Sequence, residues 1–198
     1  MPLLEARNIT KKYVVRAAFG SAKELMAVND VSLALEAGQT VGLVGESGSG
    51  KSTLGRILAG LDRPDAGEVL FEGKPISEQK KKFRRSVQMI FQNPMNALNP
   101  RWTVRSILSE PFVVNGEAYK TSDLERLLEE VRLPTNFLTR RLHELSGGER
   151  QRICIARALA LKPRIVICDE AVSSLDVLVR ADILNLLSDL QIKHQIGF

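Results

Sequence analysis

One stretch, Gly45-Glu46-Ser47-Gly48-Ser49-Gly50-Lys51-Ser52, constrains this chain more than any other. It fits the pattern G-x-x-x-x-G-K-[ST], a glycine-rich loop that cradles phosphate between a strand and a helix. Both flanks are predicted. The apolar run Thr40-Val41-Gly42-Leu43-Val44 reads as a buried strand. Ser52 to Ala59 reads as a helix, with Leu54, Ile57 and Leu58 on one side and Gly60 just past its end. The physical logic is anion capture. Glycines let the backbone bend tightly, so several N–H groups point at phosphate oxygens, and the helix adds the positive end of its dipole. In such a loop Lys51 reaches the β- and γ-phosphates and the Ser52 hydroxyl sits on Mg²⁺. The bland alternative, a flexible Gly/Ser loop matching by chance, is opposed by the strand before and the helix after.

A chain of 198 residues makes one domain, or one domain with a subdomain. No apolar run approaches the ~18 residues of a membrane span. The N-terminus, Met1-Pro2-Leu3-Leu4-Glu5-Ala6-Arg7, has no signal-peptide layout. Cys154 and Cys168 lack metal or redox spacing, which suits a reducing cytoplasm, and both read as small core residues. The net charge of +5 is densest at Lys80-Lys81-Lys82-Phe83-Arg84-Arg85. That run is either a solvated face or a surface held near anionic headgroups or a partner's acidic loop. Phe83 is the single aromatic among these cations, short of the repeated interleaving that stacking on single-stranded nucleic acid requires.

Residues 3 to 13 predict a strand ending at Tyr13, residues 14 to 26 (with Gly20-Ser21) the loop of a hairpin, and Val28 to Leu35 a second strand. Tyr13 is either a ring for stacking adenine or a strand aromatic facing the core. Asp62 to Gly67 is a turn cluster, Gly67 to Phe71 a short strand, and Glu72 to Pro75 a further turn. Ser86 to Phe91 predicts a strand that gives way to Gln92-Asn93-Pro94. There the Gln92 carboxamide either ligates Mg²⁺ or water, or caps the loop.

Residues 103 to 161 are predicted to be mostly helical, punctuated by Pro111 and Pro134. Leu124, Leu127, Leu128 and Val131 follow helical spacing. Leu145-Ser146-Gly147-Gly148-Glu149 opens a helix from Arg150 to Leu161 and is either a second anion site or a plain cap. Arg164-Ile165-Val166-Ile167-Cys168-Asp169-Glu170 is an apolar strand ending in two adjacent acids, which alternation sends in different directions. One can hold Mg²⁺ through water while the other polarises an attacking water; otherwise they merely end a strand. Val179 to Lys193 predicts a helix with Ile183, Leu184, Leu187 and Leu190 as its apolar face.

Five motifs therefore stand in one order: GESGSGKS, FQNP, LSGGE, RIVICDE and SSLD. Together they resemble the nucleotide-binding subunit of an ATP-binding cassette (ABC) transporter, over essentially the whole chain. Gln92 to Val104, with Glu110-Pro111 beyond, resembles the dipeptide/oligopeptide/nickel importer branch, and Glu170 to Asp176 resembles its nickel-importer members somewhat more.

The resemblance implies an α/β P-loop cassette with a mixed sheet core, an N-terminal antiparallel β part and a helical subdomain. Residues 1–94 and 162–198 would form the catalytic core, and residues from about 95 to 161 the helical subdomain. It implies that Gly45, Gly48, Gly50, Lys51, Ser52 and Thr53 hold the triphosphate of ATP, with Mg²⁺ at Ser52, Gln92 and Asp169. Glu170 is then the general base or water-positioning carboxylate, Gln92 the glutamine facing the membrane subunit, and Tyr13 the adenine ring contact. Ser146, Gly147 and Gly148 form the signature loop, and Asp176 ends a loop that crosses a dimer interface. The implied partners are a second cassette bound head to tail, two membrane permease subunits and, indirectly, an extracytoplasmic solute-binding protein, with no specific nucleic acid. The implied location is peripheral, on the cytoplasmic face of the membrane.

Two departures stand out. Glu149 replaces the commoner Gln of the signature. The family's switch histidine, expected after a further strand, fits neither His143 nor His194. Gly197-Phe198 resembles the beginning of that strand, so the chain reads as C-terminally truncated and as a poor hydrolase by itself. The alternatives are a non-transport relative acting on nucleic acid or ribosomes, and a regulatory nucleotide-binding module. The short insert without sustained heptads disfavours a DNA clamp.

Overall fold

A computed structural model describes residues 1–15, 23–92, 98–172 and 175–198. Loose alternation of apolar residues builds the first layer. Strands β1 (Leu4–Val15) and β2 (Lys23–Leu35) pair antiparallel, with Leu4 opposite Leu35. β3 (Ala66–Phe71) takes the other edge of β1, with Leu4 opposite Phe71, and the short β4 (Lys74–Pro75) completes the order β2-β1-β3-β4. Leu4, Ala6, Ile9, Val28, Val69 and Phe71 bury one face against Leu54, Ile57 and Leu58 of α1 (Lys51–Leu58). Both strands of the hairpin are longer than predicted, and Gly20-Ser21 lies outside the described residues.

The second layer is a parallel pair, β5 (Val87–Ile90) and β6 (Ile165–Cys168), in register from Val87↔Ile165 to Ile90↔Cys168. Parallel strands need a crossover, and the helical region supplies it. It comprises α3 (Val104–Asn115), α4 (Thr121–Glu130), 3₁₀ turns at Thr135–Thr139 and Leu142–Glu144, and α5 (Gly147–Leu159). The last helix, α6 (Val177–His194), packs against α5. Leu124, Leu127, Leu128 and Val131 are buried as their spacing predicts, in one cluster with Ile107, Ile153, Ile183 and Leu190. Full burial of each such side chain contributes about 1.5–3 kcal/mol, and Arg152 and Arg132 add surface pairs to Asp182 of α6.

Some expectations hold and others are corrected. The basic run forms a helix, α2 (Lys80–Ser86), whose exposed Lys80, Lys81, Lys82, Arg84 and Arg85 make a solvated face and whose buried Phe83 meets Phe71 edge-on at 5.7 Å. Lys82 and Arg85 of that run pair with Glu72 and Glu117. Pro111 sits inside α3 without ending it. On α6, Leu186 is buried while Leu184 is 51% exposed, because the face centred on Ile183 and Leu190 turns Leu184 outward. Cys168 is exposed rather than buried, at the open end of β6.

The predicted strand Thr40–Val44 is not a strand. The Phe198 N–H donates to the Gln39 carbonyl and the Val41 N–H to the Phe198 carbonyl, both at 2.8 Å. Gly197 in turn bonds to Arg164 and Val166, so residues 197–198 sit between the 39–41 segment and β6. Beyond Val41 no described residue continues the ladder, and Leu43 and Val44 are 41% and 97% exposed. A strand needs a neighbour for its N–H and C=O groups, and an apolar run does not reveal whether one is there.

Candidate functional site

The glycine loop follows the exposed 42–44 segment and ends as the N-terminus of α1. Gly50 is the N-cap, at φ +93°, where a Cβ would lie 2.0 Å from the Ala27 carbonyl oxygen. Only glycine fits, both for its left-handed backbone and for the closeness of β2. The Ser49 N–H donates to the Glu46 carbonyl at 3.2 Å, closing a turn. Lys51 Nζ folds back on the loop and donates to the carbonyls of Gly45 (2.8 Å) and Glu46 (2.7 Å). Gly55 lies against Met89 of β5 and Ile167 of β6, so α1 rests directly on the parallel pair.

That packing brings the loop to the open ends of β5 and β6. Ser52 Oγ donates to Asp169 Oδ1 at 2.8 Å. Gln92 Nε2 donates to Glu170 Oε2, also at 2.8 Å. The two adjacent acids do meet different partners. Glu170 has φ +47°, a left-handed conformation uncommon for a side chain of this size. A cleft of about 330 Å³ opens here, lined in part by Leu43, Lys51, Cys168, Asp169 and Glu170. Gln92, Ser52 and Glu170 are exposed. Asn93 and Pro94 of the FQNP motif, and Ser173 and Ser174 of SSLD, lie outside the described residues.

Tyr13 does not face the core. It is 37% exposed, its hydroxyl donates to Asp62 Oδ2 at 2.7 Å, and the Thr53 hydroxyl stands beside the phenol oxygen. The Asp62 bond holds the phenol above its ordinary pKa and holds the Asp62 carboxyl below its own. Asp62 belongs to none of the motifs, and nothing in the sequence marks it beyond a place in a turn cluster.

Ser146, Gly147 and Gly148 sit elsewhere. Ser146 is the N-cap of α5 and accepts the Glu149 N–H at 3.3 Å, while the Glu149 carboxylate accepts the Ser146 N–H at 2.7 Å. This reciprocal pair is a capping box, so Glu149 has a local role. The Ser146 N–H holds its carboxyl below the usual carboxylate range. Gly148 abuts Val179 of α6, where a Cβ would come within 2.7 Å of Val179 Cγ1. Asp176 caps α6 by accepting the Val179 N–H at 3.0 Å. Among the described residues, Ser146–Gly148 neither line the cleft nor bond to the glycine loop. The structure thus brings Gly45–Thr53, Gln92, Asp169, Glu170 and Tyr13 to one region, and Ser146–Gly148 with Asp176 to another.

A glycine loop capping a helix, set on a parallel pair whose last strand runs into acids, defines a P-loop protein. The ABC transporter family model matches residues 28–173, and the chain belongs to that family. It is 45% identical over 199 residues to the oligopeptide transport ATP-binding protein AppF of Bacillus subtilis, covering 96% of this chain and 60% of that protein. It is 43% identical to the nickel import ATP-binding protein NikE of Escherichia coli (strain 536), covering 96% of this chain and 74% of that protein. The fold superposes with a TM-score of 0.82 and 29% identity on the ATP-binding cassette MJ0796, in a dimeric post-hydrolysis state bound to ADP and Pi, covering 98% and 85% of the two chains. CbiO1 of Clostridium perfringens, part of the ABC transporter complex cbiONQ, gives 0.81 at 25% identity, covering 99% and 76%. Among the described residues, no helix is long and apolar enough to cross a membrane.

Proposed function

We propose that this chain is the ATP-binding and ATP-hydrolysing part of an importer for peptides or for nickel or other metal chelates. The observation that carries the reading is the Ser52–Asp169 hydrogen bond of 2.8 Å, which joins the phosphate loop to the acids at the end of β6. The roles follow from the chemistry of each group. The loop N–H groups and Lys51 take the triphosphate, Lys51 exchanging its bonds to Gly45 and Glu46 for phosphate oxygens. Glu170 orients the attacking water and accepts its proton, and Gln92 holds the Glu170 carboxylate in place. Tyr13 stacks on the adenine.

Ser52 and Asp169 offer a hydroxyl and a carboxylate, the hard oxygen donors that Mg²⁺ takes together with substrate phosphates and water. Gln92 stands one hydrogen bond from Glu170 and supplies a third oxygen on that side. When bound, Mg²⁺ neutralises charge on the phosphates.

The two separate regions favour a head-to-tail pair of cassettes, in which Ser146–Gly148 of one chain close over the phosphates held by the other. Both regions are open: Ser146, Gly147 and Asp176 are exposed, as are Val177 (77%) and Leu178 (83%) beside them. In this reading residues 1–94 and 162–198 form the catalytic core and residues from about 95 to 161 the helical subdomain. A groove of about 400 Å³ next to Gln92, lined by Leu61, Arg84, Phe91 and Arg157 among others, suits a membrane permease subunit. The chain would then sit peripherally on the cytoplasmic face of the membrane.

The test is equilibrium binding of ATP, with Mg²⁺, to the wild type and to Lys51→Ala. Wild type should bind ATP and Lys51→Ala should bind at least about tenfold more weakly, since a charge-assisted phosphate contact contributes on the order of 1.5–3 kcal/mol. Equal affinity in the two proteins, or no binding by the wild type, overturns the reading.

A further inference from the structure

Tyr13 is held by a group outside every motif. It lies opposite Leu25 in the β1–β2 pair, and β2 backs directly on the glycine loop through Ala27. A ring that served only to stack would need no hydroxyl, yet the Tyr13 hydroxyl donates to Asp62 Oδ2 at 2.7 Å. A bond of this kind, to an ionised acceptor, is stronger and more directional than one between neutral groups.

Asp62 is itself fixed. It lies just past α1, its N–H reaches the Arg56 carbonyl at 3.3 Å, and its Oδ1 accepts the Arg63 N–H at 2.8 Å. Lys11 Nζ faces Asp62 Oδ1 at 3.7 Å, donates to the Arg63 carbonyl at 2.8 Å and stands 5.5 Å from the centre of the Tyr13 ring. The Lys11 side chain is only 13% exposed, so its charge acts close by rather than being dispersed in solvent. Asp65 ties the same turn to β1, accepting the Lys12 N–H at 2.7 Å and donating its own N–H to the Thr10 carbonyl at 2.8 Å. Tyr13 is therefore fastened at both ends: its backbone in β1, its hydroxyl on the turn after α1.

We propose that Asp62 is a positioning residue for nucleotide binding: it anchors the Tyr13 hydroxyl, with Lys11 as counter-charge, so that the ring stands ready beside the phosphate loop as a platform for the base. The inference rests on the nucleotide reading above and on Tyr13 as the base contact. Its physical content is preorganisation. A ring already held in one orientation loses less freedom when a purine lands on it, so binding is tighter. Asp62 touches no nucleotide atom in this scheme and acts through Tyr13.

The experiment compares ATP with inorganic triphosphate, each with Mg²⁺, in binding to the wild type, Tyr13→Ala, Tyr13→Phe, Asp62→Ala and Asp62→Asn. Asp62→Ala and Tyr13→Phe should each weaken ATP binding about two- to tenfold, the cost of ordering one side chain. The double variant Tyr13→Phe with Asp62→Ala, added to the set, should be no weaker than either single one. Asp62→Asn keeps an acceptor for the hydroxyl and should retain most of the affinity. Triphosphate affinity should stay unchanged throughout, because it has no base. A parallel loss of triphosphate binding would mark general damage and overturn the proposal. Unchanged ATP affinity in Asp62→Ala, with a loss in Tyr13→Ala, overturns the role of Asp62 and leaves Tyr13 as the base contact. Unchanged affinity in Tyr13→Ala removes the base contact and the proposal with it. A wild type that binds neither ligand instead refutes the nucleotide reading.

Discussion

Gln92 and Glu170 occupy equivalent places, two residues past the ends of the neighbouring parallel strands β5 and β6. β5 and β6 run in register with Ile90 opposite Cys168, so two residues further on each chain Gln92 comes level with Glu170, and the carboxamide donates to the carboxylate at 2.8 Å. Strand register brings the two residues level, and the left-handed turn at Glu170 completes the approach.

From this follows the clearest kinetic prediction. Glu170→Gln keeps the size of the side chain and removes its basicity. Turnover should fall by about 10²–10⁴, the usual contribution of a general base, while ATP affinity is retained. Phosphate release measured beside ATP binding checks it, in a preparation whose wild type turns over. Unaltered turnover would remove Glu170 from the chemistry.

Gly50 tests the loop geometry. Gly50→Ala puts a methyl group 2.0 Å from the Ala27 carbonyl oxygen, at φ +93°. The loop or β2 must shift, and ATP binding should be lost. A titration with ATP, read beside far-ultraviolet circular dichroism to confirm a folded chain, decides it. A folded variant with wild-type affinity would contradict the close approach of β2 to the loop.

Ser146→Arg addresses the separation of the two regions. Among the described residues, Ser146 neither lines the cleft of its own chain nor bonds to the glycine loop. A bulky cation there should block pairing of cassettes and leave ATP binding by the single chain intact. Sedimentation with and without ATP measures the first, and titration the second. Loss of binding in the monomer would refute a role across an interface.

Glu149 gives a prediction in pH. The Ser146 N–H lowers its pKa in the folded chain, so the charged carboxylate favours folding. The stabilisation is fully present above the unfolded value of about 4.3 and disappears as pH falls through the lower folded value. Glu149→Ala should cost about 0.5–1.5 kcal/mol at pH 7, a typical value for a cap. In denaturant melts, the gap between wild type and variant should close below about pH 4. A gap that persists at lower pH would show that charge is not what the cap supplies.

The motifs made much of this molecule legible. Each depends on spacing within a few residues, and spacing is what a sequence records. Leu124, Leu127 and Leu128 placed the buried face of α4 for the same reason. The failures share the opposite cause. Thr40–Val44 has the composition of a strand, but no described residue pairs with it past Val41, and pairing is a property of distant residues. α2 reads as a charge run because one residue, Phe83, anchors it, and a single apolar position has no period. Leu184 and Leu186 were exchanged because a helix rich in leucine leaves its face ambiguous until its neighbours are known. Asp62 was invisible because its partner, Tyr13, is 49 positions away.

The contact between Gly148 and Val179 leaves no room for even a methyl group between α5 and α6. Asp176 caps α6 only one turn from that contact. A side chain at position 148 would have to shift Val179, and with it the first turn of α6 that Asp176 caps. The spacing between Ser146 and Asp176, the exposed starts of the two helices, is therefore kept by the absence of a side chain between them.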